Sequence, residues 1–74
     1  MKKIVLTTHV RQRMVERRIT LQHLQLAFTN PVEQLSTRNN CQKLISLVKG
    51  RFLTVIFEPT EPETGVVITA YWSD

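Results

Sequence analysis

Cysteine is almost missing from this chain, and its scarcity sets the first limits. Cys41 is the only one among 74 residues, so neither an intramolecular disulfide nor a cysteine metal cluster can form, and a cytoplasmic setting is expected. Glycine is nearly as rare. Gly50 and Gly65 both fit turns, which leaves no glycine-rich loop to cradle a phosphate. The six acidic residues are scattered, and no His or Asp pair has ligand spacing, so no metal or other cofactor is expected. Long apolar runs are absent too. After Met1-Lys2-Lys3 the stretch Ile4-Val5-Leu6 is too short for a signal peptide or a membrane span, and no membrane association is expected.

A chain this short is read as a single domain, 1–74, that hides only roughly 60% of the surface its unfolded form exposes. With no disulfide to staple it, association with a second copy as a homodimer, or with another protein, would supply stability that the small core cannot.

Charge is present in quantity and is polarised. Residues 1–51 hold all ten Lys and Arg against Glu16 and Glu33, a balance of +8, whereas residues 52–74 hold only Glu58, Glu61, Glu63 and Asp74, a balance of −4. A cationic face of this kind attracts a polyanion, nucleic acid above all, or an acidic protein; the bland alternative is a surface whose halves neutralise each other on folding.

Lys3 to Thr7 reads as an edge strand or an extended lead-in. Thr7 or Thr8 can cap a helix over about His9–Arg18, whose thin apolar side is Val10 and Met14. Thr20 begins a second helix, with Leu21, Leu24 and Phe28 at the i, i+3, i+7 spacing of one buried face, Ala27 beside them and Leu26 widening it. Asn30-Pro31 ends it, because proline disfavours helical geometry in the residue before it. Thereafter short apolar runs alternate with turn residues, the pattern of antiparallel strands: Val32 to Thr37, Gln42 to Lys49, Phe52 to Glu58 and Val66 to Trp72. A proline-rich acidic loop, residues 59–65, separates the last two. Strict alternation puts Leu53, Val55 and Phe57 opposite Phe52 and Ile56, and Val66, Ile68 and Ala70 opposite Val67 and Tyr71. Helices cover one face only, so the other must meet the amino-terminal segment, a second subunit or a ligand.

The most informative pattern is His9, Arg13 and Arg17, spaced by four and therefore one stripe of a helix. It joins a side chain able to carry a proton near neutral pH to two permanent cations suited to phosphate.

The run His9-x3-Arg13-Met14-x2-Arg17-x-Ile19, an amphipathic segment closing at Asn30-Pro31, then Phe52-Leu-Thr-Val-Ile-Phe57 and Val67-Ile-Thr-Ala-Tyr-Trp72, resembles a family of small bacterial proteins, the domain of unknown function numbered forty-two fifty-eight. Those proteins are similar in turn to RelE, ParE and BrnT toxins and to colicin-type ribonucleases. The resemblance implies an α+β fold of RelE-like plan, two amino-terminal helices packed on a three- to four-stranded antiparallel sheet. It also implies RNA, on the ribosome or free, as the substrate class, and an acidic antitoxin as partner.

A metal-independent ribonuclease drives the RNA 2′-hydroxyl onto the adjacent phosphate, which takes a proton carrier and cations for the charge that builds there. On this reading His9 handles the proton, Arg13 and Arg17 hold the phosphate, and Tyr71 or Arg51 assists from the sheet. Arg18, Lys49 and Arg51 add nucleic-acid attraction. Each residue also has a plainer reading. His9 can sit half-buried beside Val10 as a packing group; Arg13 can pair with Glu16 three residues on; the Arg17 stem can pack while its head faces a cleft. His23 reads as a surface histidine and Cys41 as a residue after a turn. Of Tyr71 and Trp72, on opposite sheet faces, one belongs to the core and the other could stack on a base. The competing function is a module that binds RNA or an acidic peptide through the same stripe without catalysis.

Overall fold

The computed structural model describes residues 3–61 and 63–73. Lys2, read above as part of the general basic charge, and Pro62 of the acidic loop lie outside those residues.

Strand β1 (Lys3–Leu6) leads into helix α1 (Thr8–Arg17), helix α2 (Leu21–Thr29) and strands β2 (Glu33–Ser36), β3 (Gln42–Val48), β4 (Arg51–Thr60) and β5 (Thr64–Ser73). All the strands join one five-stranded sheet in the order β1-β5-β4-β3-β2. The architecture is therefore α+β with two amino-terminal helices on a sheet, as the residue pattern suggests. The sheet is larger than the three or four antiparallel strands expected, and it is mixed. β2 to β5 form an antiparallel meander, while β1 adds to the outer side of β5 in parallel, Lys3 opposite Thr64 and Leu6 opposite Val67. Ile4 and Leu6 of this short strand pack against the core, which draws the lead-in onto the sheet.

Local chemistry accounts for most boundaries. The Thr7 hydroxyl accepts from the Val10 N–H at 3.2 Å and starts α1. The helix stops without glycine or proline. Arg18 adopts the left-handed conformation (φ 56°), its N–H and that of Ile19 turn back to Val15 and Met14, and Ile19 drops into the core beside Met14. Thr20 caps α2, and His23 completes the arrangement. The Thr20 hydroxyl accepts from the His23 N–H, and His23 Nδ1 accepts from the Thr20 N–H at 3.0 Å. His23 thus holds a helix start instead of being the bare surface histidine expected. Lys49 (φ 50°) and Gly50 (φ 83°) form the two-residue turn between β3 and β4, a left-handed pair whose twist suits a tight hairpin.

α1 packs on β5, and α2 on β3 and β4. The core between them includes Val10, Met14, Leu24, Ala27, Leu53, Val55 and Val67, and burial of each large aliphatic side chain contributes about 1.5–3 kcal/mol. Leu21 and Leu26 were expected on the buried face of α2, but both are exposed, and Leu24, Ala27 and the half-buried Phe28 carry the contact. Phe28 meets Phe57 edge to face with ring centroids 4.8 Å apart, and Gly65 lies beneath both rings.

Two departures lie in the last hairpin. The acidic loop is shorter than read, because the ladder continues through Pro59 opposite Gly65 and Thr60 opposite Thr64. In β5 strict alternation fails. Ile56 pairs with Thr69 but Phe57 with Val67, so Ile68 is an extra residue, and this bulge returns Val67 and Ala70 to the same buried face. Ile68 itself is exposed.

Candidate functional site: the cleft between helix α1 and strand β5

Because Thr7 fixes the start of α1, His9 falls in its first turn, Arg13 one turn on and Arg17 in the last turn. The structure brings the three onto one side of the helix, facing the bulged part of β5. Together with Val10, Ile68, Thr69 and Ala70 they line a small cleft of about 60 Å³. The bulge is what presents both Ile68 and Thr69 there. Bulges re-aim side chains in this way at the margins of sheets.

The three side chains are held differently. His9 is exposed, so it is not a half-buried packing group. Arg13 is exposed as well, and its Nη1 donates to Glu16 Oε1 at 3.0 Å across one helical turn. Arg17 is half-buried. Its Nη1 donates to the Ala70 carbonyl at 2.8 Å and reaches Thr69 Oγ1 at 3.5 Å, while the indole Nε1 of Trp72 donates to the Arg17 carbonyl at 2.7 Å. These reciprocal bonds strap the carboxy-terminal end of α1 to β5. They act on the part of β5 that β1, ending opposite Val67, does not cover. A guanidinium has five N–H donors, so Arg17 can serve this strap and still present charge to the cleft.

The same strap organises the neighbouring aromatics. The Trp72 ring lies under the Arg51 guanidinium, 4.7 Å from Cζ to the ring centroid, and meets the His23 ring edge to face at 5.2 Å. Arg51 therefore stacks on Trp72 and does not line the cleft. Tyr71 does not line it either. It lies on the helix-free face of the sheet, in a groove with Phe52, Thr54 and Lys43, because its neighbour Trp72 takes the helix side. Tyr71, expected to assist from the sheet, therefore lies outside the described lining of the cleft. Arg18 and Lys49, both exposed, sit at the end of α1 and in the β3–β4 turn. Sequence reasoning missed Thr69, the Trp72 strap and the capping role of His23. A bulge leaves no signature in residue spacing, and a histidine three places after a threonine is not the usual Glu or Gln of a capping box.

Residues 6–72 match the protein family described as Domain of unknown function (DUF4258). The chain belongs to that family. The match runs from the end of β1 to Trp72, so the part of the DUF4258 domain that it spans contains His9, Arg13, Arg17 and the β5 side of the cleft. No curated protein and no solved structure matches the chain significantly. Among the described residues, no group of three or more His, Cys, Asp or Glu side chains is placed to hold a metal ion, and no helix is long and apolar enough to cross a membrane.

Proposed function

We propose that this DUF4258 domain is a toxin-like, metal-independent endoribonuclease of RelE-like plan that works at the α1–β5 cleft. The observation that carries the reading is the common cleft lined by one imidazole and two guanidiniums. In the proposed step the RNA phosphate sits against Arg13 and Arg17, and His9 takes the proton of the 2′-hydroxyl as its oxygen attacks phosphorus. The P–O bond to the 5′ oxygen breaks, that oxygen receives a proton from water, the hydroxide left takes up the proton that His9 had gained, and the products are a 2′,3′-cyclic phosphate and a 5′-hydroxyl. Arg13 and Arg17 offset the charge that builds on the phosphoryl oxygens. The free N–H groups and dipole at the start of α1 favour the anion at the His9 end. An acidic, antitoxin-like protein is the partner we propose to cover this basic helix and silence it.

The test is cleavage of RNA, free and on ribosomes, with chelator present throughout. The expected result is a cyclic-phosphate product, lost by at least a hundredfold in His9→Ala, together with growth arrest on induced expression that the same substitution relieves. Cleavage at the wild-type rate by His9→Ala would remove the proposed mechanism. A second reading, an RNA- or acidic-peptide-binding module without catalysis, is favoured by one observation. Tyr71 lies away from the cleft, which leaves His9 as its one proton carrier among the described lining residues. Tight RNA binding that depends on Arg13, with no product under any condition, would establish that reading instead.

A further inference from the structure

We propose that the groove on the helix-free face of the sheet is a base-binding subsite for single-stranded RNA, next to the phosphate held in the α1–β5 cleft. The inference rests on the RNA reading above and adds where the neighbouring nucleotide goes. Lys43 and Ile45 of β3, Phe52 and Thr54 of β4 and Tyr71 of β5 line a groove of about 370 Å³, within the usual size range of small-ligand sites, roughly 300–1,000 Å³. Strand register places Tyr71 opposite Thr54, two residues from Phe52, so the two aromatic rings are diagonal neighbours on one face. No helix covers them, and Phe52 is 41% exposed. Unstacked bases bind such sheet-borne aromatics because every base has a π-face, whatever its sequence.

Charge separates the roles of the two concavities. Cationic side chains line the α1–β5 cleft with no acid among its described lining residues, which suits a phosphate. The groove instead holds one base and one acid, Lys43 and Glu33, so its charge cancels and it fits the uncharged part of a nucleotide. Its rim offers a donor and an acceptor to base edges. The two concavities are lined from neighbouring positions of β5. Thr69 lines the cleft and Tyr71 lines the groove, two residues apart on one strand, about 7 Å, which is the reach of a single extended nucleotide. Beyond Val67 no strand among the described residues lies outside β5, and the RNA is proposed to pass over that edge.

The experiment uses the full chain and a 2′-O-methyl hexanucleotide, which cannot be cleaved by 2′-hydroxyl attack, carrying 2-aminopurine at one position. Binding by the wild type is expected to quench the fluorophore. Tyr71→Leu and Phe52→Leu are expected to bind roughly tenfold or more weakly with the quench lost, while Tyr71→Phe, which keeps the ring, binds as the wild type. Quench and affinity unchanged in both leucine variants, while Arg13→Ala weakens binding, would overturn the subsite and leave the cleft reading standing. Failure of the wild type to bind any such RNA would overturn the subsite, while the cleavage test on free and ribosomal RNA decides the cleft reading separately. If the leucine variants only convert a dimer to a monomer by light scattering and bind RNA normally, the face belongs to a second copy and the subsite is refuted. Weak binding by Tyr71→Phe would also refute it, since the hydroxyl and not the ring would then be the working part.

Discussion

Arg17 and Arg13 share one stripe of α1 and an expected affinity for phosphate, yet the structure gives them opposite sensitivities to mutation. Arg17→Met keeps much of the aliphatic stem and removes the donors to the Ala70 carbonyl and Thr69 Oγ1. A hydrogen bond from a charged donor is worth about 1.5–3 kcal/mol net. Arg17 is only half-buried and the Ala70 carbonyl can recruit water in its place, so the lower end applies, about 1.5 kcal/mol. For a domain of this size that lowers the melting temperature by about 6–12 °C. Arg13→Met breaks only an exposed pair with Glu16 and is expected to cost no more than about 0.5 kcal/mol. Thermal unfolding by calorimetry or circular dichroism, with RNA affinity measured in parallel, separates the two. Arg17→Met should lose stability and affinity together, and Arg13→Met affinity alone. An Arg17→Met protein that melts with the wild type would refute the strap between α1 and β5.

Gly65→Ala is expected to destabilise by about 1–2 kcal/mol in urea unfolding, because a Cβ there would stand 3.2 Å from ring carbons of both Phe28 and Phe57. A neutral effect would mean that the edge-to-face pair yields freely. His23→Ala should cost about 1–2 kcal/mol, since it removes both the reciprocal cap on α2 and the edge contact with Trp72, whereas His23→Gln should recover the cap alone and fall between. Equal melting temperatures for the alanine and glutamine variants would deny His23 its capping role.

Where local chemistry decides structure, the residues announce it. Thr7 and Thr20 mark helix starts, Asn30-Pro31 a helix end and Gly50 a hairpin, while Val10 and Met14 show which side of α1 is buried. The stripe of His9, Arg13 and Arg17 is equally visible, since it follows from helical spacing alone. What spacing cannot carry is pairing between distant segments. Leu6 meets Val67 only because β1 docks in parallel after two helices and a meander, and no residue in either strand specifies that partner. The bulge at Ile68 is likewise silent, and it places Val67 and Ala70, expected on opposite faces, on the same one. The placement of Tyr71 away from the stripe was equally beyond reach, because a helix pattern does not say over which side of a sheet the helix will lie.

The bonds that close the cleft join positions more than fifty apart, Arg17 to Ala70 and Trp72 to Arg17. During synthesis, α1 leaves the ribosome long before β5 exists, and its basic stripe then has no second wall. The pocket is completed only when almost the whole domain has been translated, so a prematurely released fragment would carry the charge without the geometry.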